Sequence, residues 1–173
     1  VATHKDQGAE YRAFAEALAH DMWPRRFESV YDYLTVEEAA RQAKTFDARH
    51  GPFVIADYAD NPGGGGYGDS TNLLRAMIEA DVQDACFGPI VDPEAAAELH
   101  RRKVGDRISI RLGGKTDPRV GGAPLALEGT LLLLSNGDFV GDGPMLGGLK
   151  VSWGTSAVLR AGGNVRILDR VSD

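Results

Sequence analysis

Hydrophobic residues along the first part of the chain recur at the spacing of an α-helix. Over residues 9 to 23 one apolar residue falls in each helical turn, which predicts a helix with a single apolar stripe. The residues of this stripe are Tyr11, Phe14, Leu18 and Met22. Further on, Thr35-Val36-Glu37-Glu38 has the form of a capping box and predicts a second helix that ends near Lys44. The chain is therefore expected to open with two helices.

The next part of the chain alternates short apolar runs with amphipathic stretches. Phe53-Val54-Ile55-Ala56 is short, apolar and β-branched, which predicts a buried strand, and residues 85 to 91 predict another. A helical pattern follows each run. The first predicted helix is capped by Asp69 or Ser70, and the second begins at Asp92-Pro93-Glu94 and ends near Lys103. An order of strand, helix, strand and helix predicts a partly parallel sheet.

The last third of the chain loses the helical period and alternates apolar with polar residues, which predicts strands. Asn136-Gly137, between residues 131–134 and 139–140, favours a type I′ hairpin, because both residues tolerate a positive φ. A second hairpin is predicted between residues 157–160 and 165–168. The predicted fold is α/β, with N-terminal helices, a partly parallel sheet of βαβα order and a C-terminal, mostly antiparallel hairpin region. Residues 1–173 are expected to form a single domain.

Composition narrows the classes of partner. A net charge of −6 and a pI near 5.2 argue against a nucleic-acid or anionic-membrane surface, since both require a basic face. No apolar stretch is long enough to span a bilayer. The single cysteine, Cys86, excludes an internal disulfide and, from its apolar neighbours, is expected to be a buried thiol. These features predict a cytoplasmic protein.

Residues 56 to 71 contain the densest candidate chemistry, with three aspartates and five glycines between a predicted strand and a predicted helix. Glycine admits close approach of a ligand but costs ordering entropy, so this loop is expected to contact another molecule. Gly63, Gly65 and Gly68 match the G-x-G-x-x-G dinucleotide pattern, although Asp60 and Asp69 would repel a pyrophosphate. A purely structural turn remains a competing interpretation.

Other chemistry is weakly supported by the residues. The aspartates do not have the spacing of an EF-hand loop, and the four histidines are dispersed. Ser70 and Thr71 lack a neighbouring histidine and are interpreted as helix caps. Lys115 could meet an anionic group, but a solvated side chain is the favoured interpretation. The residues alone therefore predict no complete catalytic or metal site.

Several motifs in order resemble one known family. Asp60-Asn61-Pro62-Gly63-Gly64-Gly65 followed by Gly68-Asp69-Ser70-Thr71 resembles the signature of the carboxy-terminal domain of the microcystinase C (MlrC-type) metallopeptidases. Three later segments support the resemblance by their order and spacing. They are Asp92-Pro93-Glu94-Ala95, Gly113-Gly114-Lys115 and Gly154-Thr155-Ser156-Ala157-Val158-Leu159-Arg160.

The resemblance implies a part of a zinc-dependent hydrolase that cleaves peptide or amide bonds. It implies that zinc is bound by a separate amino-terminal domain, which is the expected partner, and that this chain alone holds no metal and is inactive. The glycine-rich loop would complete the substrate cleft or support a metal ligand from behind. The residues expected to do so are Asp60, Asn61, Pro62, Gly63, Gly64, Gly65, Asp69, Ser70 and Thr71.

Two other functions stay open. The chain could be a non-catalytic ligand-binding or assembly domain whose glycine-rich loop contacts a partner, or, less favoured, a dinucleotide-binding domain. Self-association into a homo-oligomer also stays open, because nothing in the sequence decides it.

Overall fold

A computed structural model describes residues 8–28, 32–162 and 165–170. The chain divides into two compact units, one up to residue 33 and one from residue 34 onward. The first unit contains helix α1, Gly8–Met22, as the apolar spacing predicts. The candidate site lies in the second unit, whose elements are described below.

The second unit begins with helix α2, Val36–Thr45, and its capping box is confirmed. The Thr35 hydroxyl accepts a hydrogen bond from Glu38 N–H, and the Glu38 carboxylate accepts one from Thr35 N–H. Three single 3₁₀ turns follow, at Ala48–His50, Tyr58–Asp60 and Pro62–Gly64. Irregular backbone therefore fills most of the stretch between α2 and the next helix.

The rest of the unit alternates helices and strands before becoming mostly strand. The remaining elements, in chain order, are α3 (Asn72–Glu79), β1 (Cys86–Val91), α4 (Pro93–Leu99), β2 (Arg107–Leu112), α5 (Pro118–Gly121), β3 (Leu125–Ser135), β4 (Asp138–Val140), β5 (Lys150–Ser152), β6 (Ser156–Ala161) and β7 (Val165–Arg170). No helix in the described part of the chain is long and apolar enough to cross a membrane.

Five strands form one mixed sheet in the order β1-β7-β6-β3-β2. β1 and β7 are parallel, whereas β7–β6, β6–β3 and β3–β2 are antiparallel. The second predicted hairpin is confirmed as β6–β7, in which Leu159 lies opposite Ile167. A mixed α/β fold with a partly parallel sheet is thus confirmed.

Two apolar clusters hold this unit together. The larger one packs α4 and Leu74 of α3 against one face of the sheet, where Leu99, Leu131 and Ile167 are fully buried. The smaller cluster joins α2 and α3 through Ala40, Leu73 and neighbouring side chains. Burial of these side chains provides the main driving force for folding of the unit.

Several local predictions were wrong. Residues 53–56 form no strand, and Val54 is 80% exposed. Helix α4 ends at Leu99 rather than near Lys103. Strand β4 pairs with β5 in a separate two-stranded sheet instead of forming a hairpin with β3. Gly137 has a positive φ of 78° but Asn136 does not, so the type I′ turn is absent.

Candidate functional site

Asp60 closes the glycine-rich loop on itself. Its Oδ1 accepts a hydrogen bond of 2.8 Å from Gly68 N–H, and its Oδ2 accepts one of 2.6 Å from Ser70 N–H. The half-buried carboxylate therefore joins the first residues of the loop to the last ones. Such charge-assisted hydrogen bonds to main-chain amides are among the stronger ones in proteins.

Asn61 organises the middle of the loop. Its Oδ1 accepts from Gly63 N–H at 3.0 Å, and its main-chain oxygen accepts from Gly64 N–H and Gly66 N–H, both at 2.9 Å. Gly65 N–H donates to the oxygen of Pro62 at 3.0 Å. The four amides from Gly63 to Gly66 all donate within the loop, so the loop does not offer them to a phosphate or a substrate.

This geometry bears on the dinucleotide hypothesis. A pyrophosphate site needs unpaired N–H groups at a helix N-terminus, and here the glycine amides are already bonded inside the loop. Gly66 is required for a different reason, since a Cβ on it would lie 2.9 Å from Asn61 N and Asp60 C. The glycine pattern thus permits a tight, self-bonded loop whose outer face, from Asn61 to Gly65, is exposed.

Asp69, Ser70 and Thr71, the last residues of the loop, are buried. Asp69 Oδ2 accepts hydrogen bonds of 2.9 Å from Lys115 N–H and Thr116 N–H. The Thr71 hydroxyl donates to Ala123 O at 2.8 Å, and no side chain caps α3. The predicted side-chain cap by Asp69, Ser70 or Thr71 was therefore wrong, because Asp69 and Thr71 instead attach the loop to segments more than 40 residues away.

The turn after β2 can donate hydrogen bonds to Asp69 because it comes very close to the loop. Gly114 N–H donates to Asp69 O at 2.6 Å, and a Cβ on Gly113 would lie 2.6 Å from the same oxygen. Gly113 also has a positive φ of 59°. The two glycine motifs that are distant in sequence thus form one hydrogen-bonded structure.

A second polar cluster lies at the carboxyl ends of the parallel strands β1 and β7. Asp92, 2% exposed, accepts hydrogen bonds from Ala95 N–H, Gly113 N–H and the Lys115 ammonium, the last at 2.9 Å. Lys115 also pairs with Glu94 at 3.1 Å. The prediction of a solvated Lys115 was wrong, since its ammonium bridges two carboxylates.

Asp169 on β7 belongs to the same cluster. It is fully buried, and neither of its carboxyl oxygens has a hydrogen-bond partner. Burial, reinforced by repulsion from Asp92, raises the pKa of Asp169 to about 8. Burial of Lys115 disfavours its charge, but its bonds to Asp92 and Glu94 outweigh this and raise the Lys115 pKa.

No sequence motif identified Asp169, although the pattern of residues along β7 contains a signal for it. Val165, Ile167 and Asp169 alternate along β7, and all three are fully buried. An aspartate on the core-facing side of a strand is unusual enough to mark a special environment. The ion pair between Asp92 and Lys115 could not be predicted from a local pattern, because 22 residues separate the two in the sequence.

A groove of about 1350 Å³ extends from the glycine-rich loop along β1. Residues 51–58 form one wall, residues 82–90 form the other, and Asp60, Asn61 and Pro62 lie at the loop end. Cys86 also lines the groove and is exposed, so the prediction of a buried thiol was wrong. Of the predicted site residues, four line the groove, namely Asp60, Asn61, Pro62 and Ser70. Asp69 and Thr71 are buried and do not line it.

The described residues do not provide a metal site. Among them, no group of three or more His, Cys, Asp or Glu side chains is arranged to hold an ion. The carboxylates of Asp60, Asp69 and Asp92 are instead used by main-chain amides and by Lys115. We therefore assign no zinc ligand to this part of the chain.

A family model and a known protein similar to this chain both correspond to the family that its sequence motifs resemble. The family model described as "MlrC C-terminus" matches residues 55–170. Microcystinase C from Sphingomonas sp is 33% identical over 127 residues, which cover 73% of this chain and 23% of that protein. A crystal structure from Mesorhizobium sp. BNC1, described as "Putative metallopeptidase", superposes with a TM-score of 0.73 at 23% identity. The superposition covers 90% of this chain and 30% of the Mesorhizobium chain.

Proposed function

We propose a function from one established premise: this chain belongs to the MlrC C-terminus family. We infer that it is the carboxy-terminal part of a zinc-dependent hydrolase that acts on peptide or amide bonds. Its partners are an amino-terminal catalytic domain, which binds the zinc, and a peptide or amide substrate. The chain spans about a quarter of the length of the curated relative it matches, which leaves room for such a domain.

The loop closed by Asp60 is the observation that carries this proposal. Its amides are bonded internally, so its shape is set before any ligand arrives, while Asn61 to Gly65 face outward at one end of a groove. A surface that is already ordered loses little entropy on binding. We propose that this outer face completes the substrate cleft or supports a metal ligand of the catalytic domain.

The buried residues behind the loop have a supporting role in this proposal. Asp69 and Thr71 attach the loop to the segments that contain Lys115 and Ala123, and Lys115 in turn bonds to Asp92. Groups that position a substrate need this support, because displacement by about 1 Å can lower a rate roughly 100-fold. A cytoplasmic location is part of the same proposal and is supported by the single free cysteine.

The test is Asp60→Ala in the full-length protein, compared with Asp142→Ala. Asp142 is the matched control because it is exposed and does not line the groove. We expect D60A to lower kcat/KM on linear peptides roughly 100-fold and D142A to lower it less than about threefold. Circular dichroism confirms that both variants are folded, and metal analysis follows their zinc content.

The two versions of the role predict different zinc contents. If the loop contacts substrate, D60A keeps its zinc and loses turnover; if the loop supports a ligand, D60A loses zinc as well. Unchanged turnover together with unchanged zinc would overturn the proposal. In that case the non-catalytic binding or assembly function, for which the exposed Tyr58 and Tyr67 of the loop would provide contacts, becomes the better assignment.

A further inference from the structure

We propose that the groove beside β1 binds a peptide in extended conformation, as a strand added between residues 51–58 and β1. The proposed occupant is the peptide substrate itself, so the inference rests on the proposed function and specifies the form in which the substrate binds. Addition of an extended peptide to a free sheet edge is a common recognition mode, in which main-chain hydrogen bonds provide much of the affinity.

The first wall of the groove has the properties of a strand without a partner. No hydrogen bond joins the main chain of residues 53–56 to another described residue. From Val54 to Asp57 exposure alternates, with Val54 and Ala56 exposed and Ile55 and Asp57 half-buried, as in an extended chain with two faces. Its β-branched, apolar sequence favours a strand, so its main chain is suited to pair with one that arrives from outside.

The second wall is a free sheet edge. β1 is the terminal strand of the five-stranded sheet and pairs only with β7 among the described strands. On its other side, Val91 N–H donates to Gly68 O at 2.8 Å, at the end nearest the glycine-rich loop. From Cys86 to Ile90 this edge lines the groove. The register of β1 shifts between Phe87 and Ile90, and Pro89 has no N–H to donate, so we place the added pairing at Cys86 to Gly88.

The lining of the groove indicates which side chains the peptide carries. Leu73, Met77 and Val82 provide an apolar floor and are themselves buried. Three acidic residues, Asp57, Asp60 and Asp84, also line the groove, against one basic residue, Lys44, among the described residues. We therefore expect apolar side chains at alternate positions of the peptide, directed at the floor, and no acidic ones.

The probe is a fluorescent hexapeptide amide of alternating valine and threonine with one N-terminal lysine. Cys86 provides the readout, because it is exposed, lines the groove and is the only cysteine in the chain. We expect saturating peptide to slow alkylation of Cys86 at least about fivefold, with the same midpoint as the fluorescence titration. Hydrogen exchange should slow at residues 53–56 and 86–88 when the peptide is bound.

Two controls separate main-chain pairing from nonspecific apolar contact. The same peptide with alternate amides N-methylated keeps its side chains and loses donors, so its affinity should fall at least about tenfold. Cys86→Trp fills the groove and should abolish binding, whereas Cys86→Ser should bind like the wild type. Equal affinity of the N-methylated peptide, or no protection of Cys86, would overturn the proposal.

Hydrogen exchange in the full-length protein distinguishes two occupants of the groove, the substrate and a strand of the protein itself. If residues 53–56 exchange slowly in the full-length protein without peptide, a strand of that protein already fills the groove and substrate binding there is refuted. Failure of the proposed hydrolase function gives a different result from failure of the proposed peptide binding. In that case the full-length protein holds no zinc and cleaves nothing, while the hexapeptide still protects Cys86 in this chain.

Discussion

At the scale of single residues, Asp169 gives the clearest link between structure and pH. Its pKa rises from 3.8 to about 8 on folding, so the folded state binds more protons than the unfolded state between these values. The free energy of unfolding therefore contains a contribution that is complete below about pH 4 and is lost as pH rises through about 8. Replacement by a neutral isostere should remove this loss.

We predict that Asp169→Asn stabilises the protein increasingly from pH 4 to pH 8, by up to about 5 kcal/mol at the upper end. Urea unfolding at a series of pH values measures this difference. Asp142→Asn is the matched control, because Asp142 is exposed and its replacement should leave the pH dependence parallel to that of the wild type. A constant difference between D169N and wild type across this range would show that Asp169 is already charged in the folded protein.

At the scale of elements, Lys115 connects the turn after β2 to the first turn of α4 through Asp92 and Glu94. We predict that Lys115→Met lowers the free energy of unfolding by about 2 kcal/mol, because the nearly buried Asp92 loses its cation. This value is below that for a fully buried pair, since Lys115 itself is 31% exposed. Lys103→Met, which removes an exposed ammonium, is the control and should change stability little.

A second variant tests whether the charge of Asp92 causes the loss. In the K115M background, Asp92→Asn removes the unpaired carboxylate and should recover part of the stability, which urea unfolding of the double variant measures. If K115M and K103M are equally stable, the ion pair does not hold these elements together.

The sequence was informative about elements whose signals are local. The capping box at Thr35, the cap at Asp92 and the hairpin of β6 and β7 are each determined by neighbouring residues, and all three are present. The strand expected at residues 53–56 failed because a strand also needs a partner, and the described residues supply none. Pairing of β4 with β5 instead of β3 is likewise a tertiary choice that turn residues cannot determine.

For the candidate site, too, the local features could be predicted from the sequence and the long-range contacts could not. The sequence identified the loop from Asp60 to Thr71, because its glycines and aspartates are contiguous. It could not show that Asp60 and Asn61 bind the loop's own amides, or that Asp69 reaches Lys115 N–H. Those contacts depend on which segments pack together in the folded protein. Because of them, the loop amides donate hydrogen bonds within the loop instead of to a ligand.

At the scale of the whole molecule, the matched part of the chain covers 23% of microcystinase C and 30% of the Mesorhizobium chain. The described residues contribute an ordered loop, a groove and a buried polar cluster, but no ligand set for a metal. The proposed hydrolase therefore divides its site between two parts of one protein. Binding surfaces would lie on this part, and the zinc would lie on the other.

This division predicts how zinc is distributed. We expect the full-length protein to hold roughly one zinc ion per chain and the 173-residue chain to hold none after dialysis against a weak chelator. A zinc site needs three or four suitably placed nitrogen, sulfur or carboxylate ligands, and the described residues bring no such group together. Plasma mass spectrometry on both proteins, purified alike, measures the metal. Stoichiometric zinc on the short chain would contradict the division, and its absence from both would remove zinc from the proposed function.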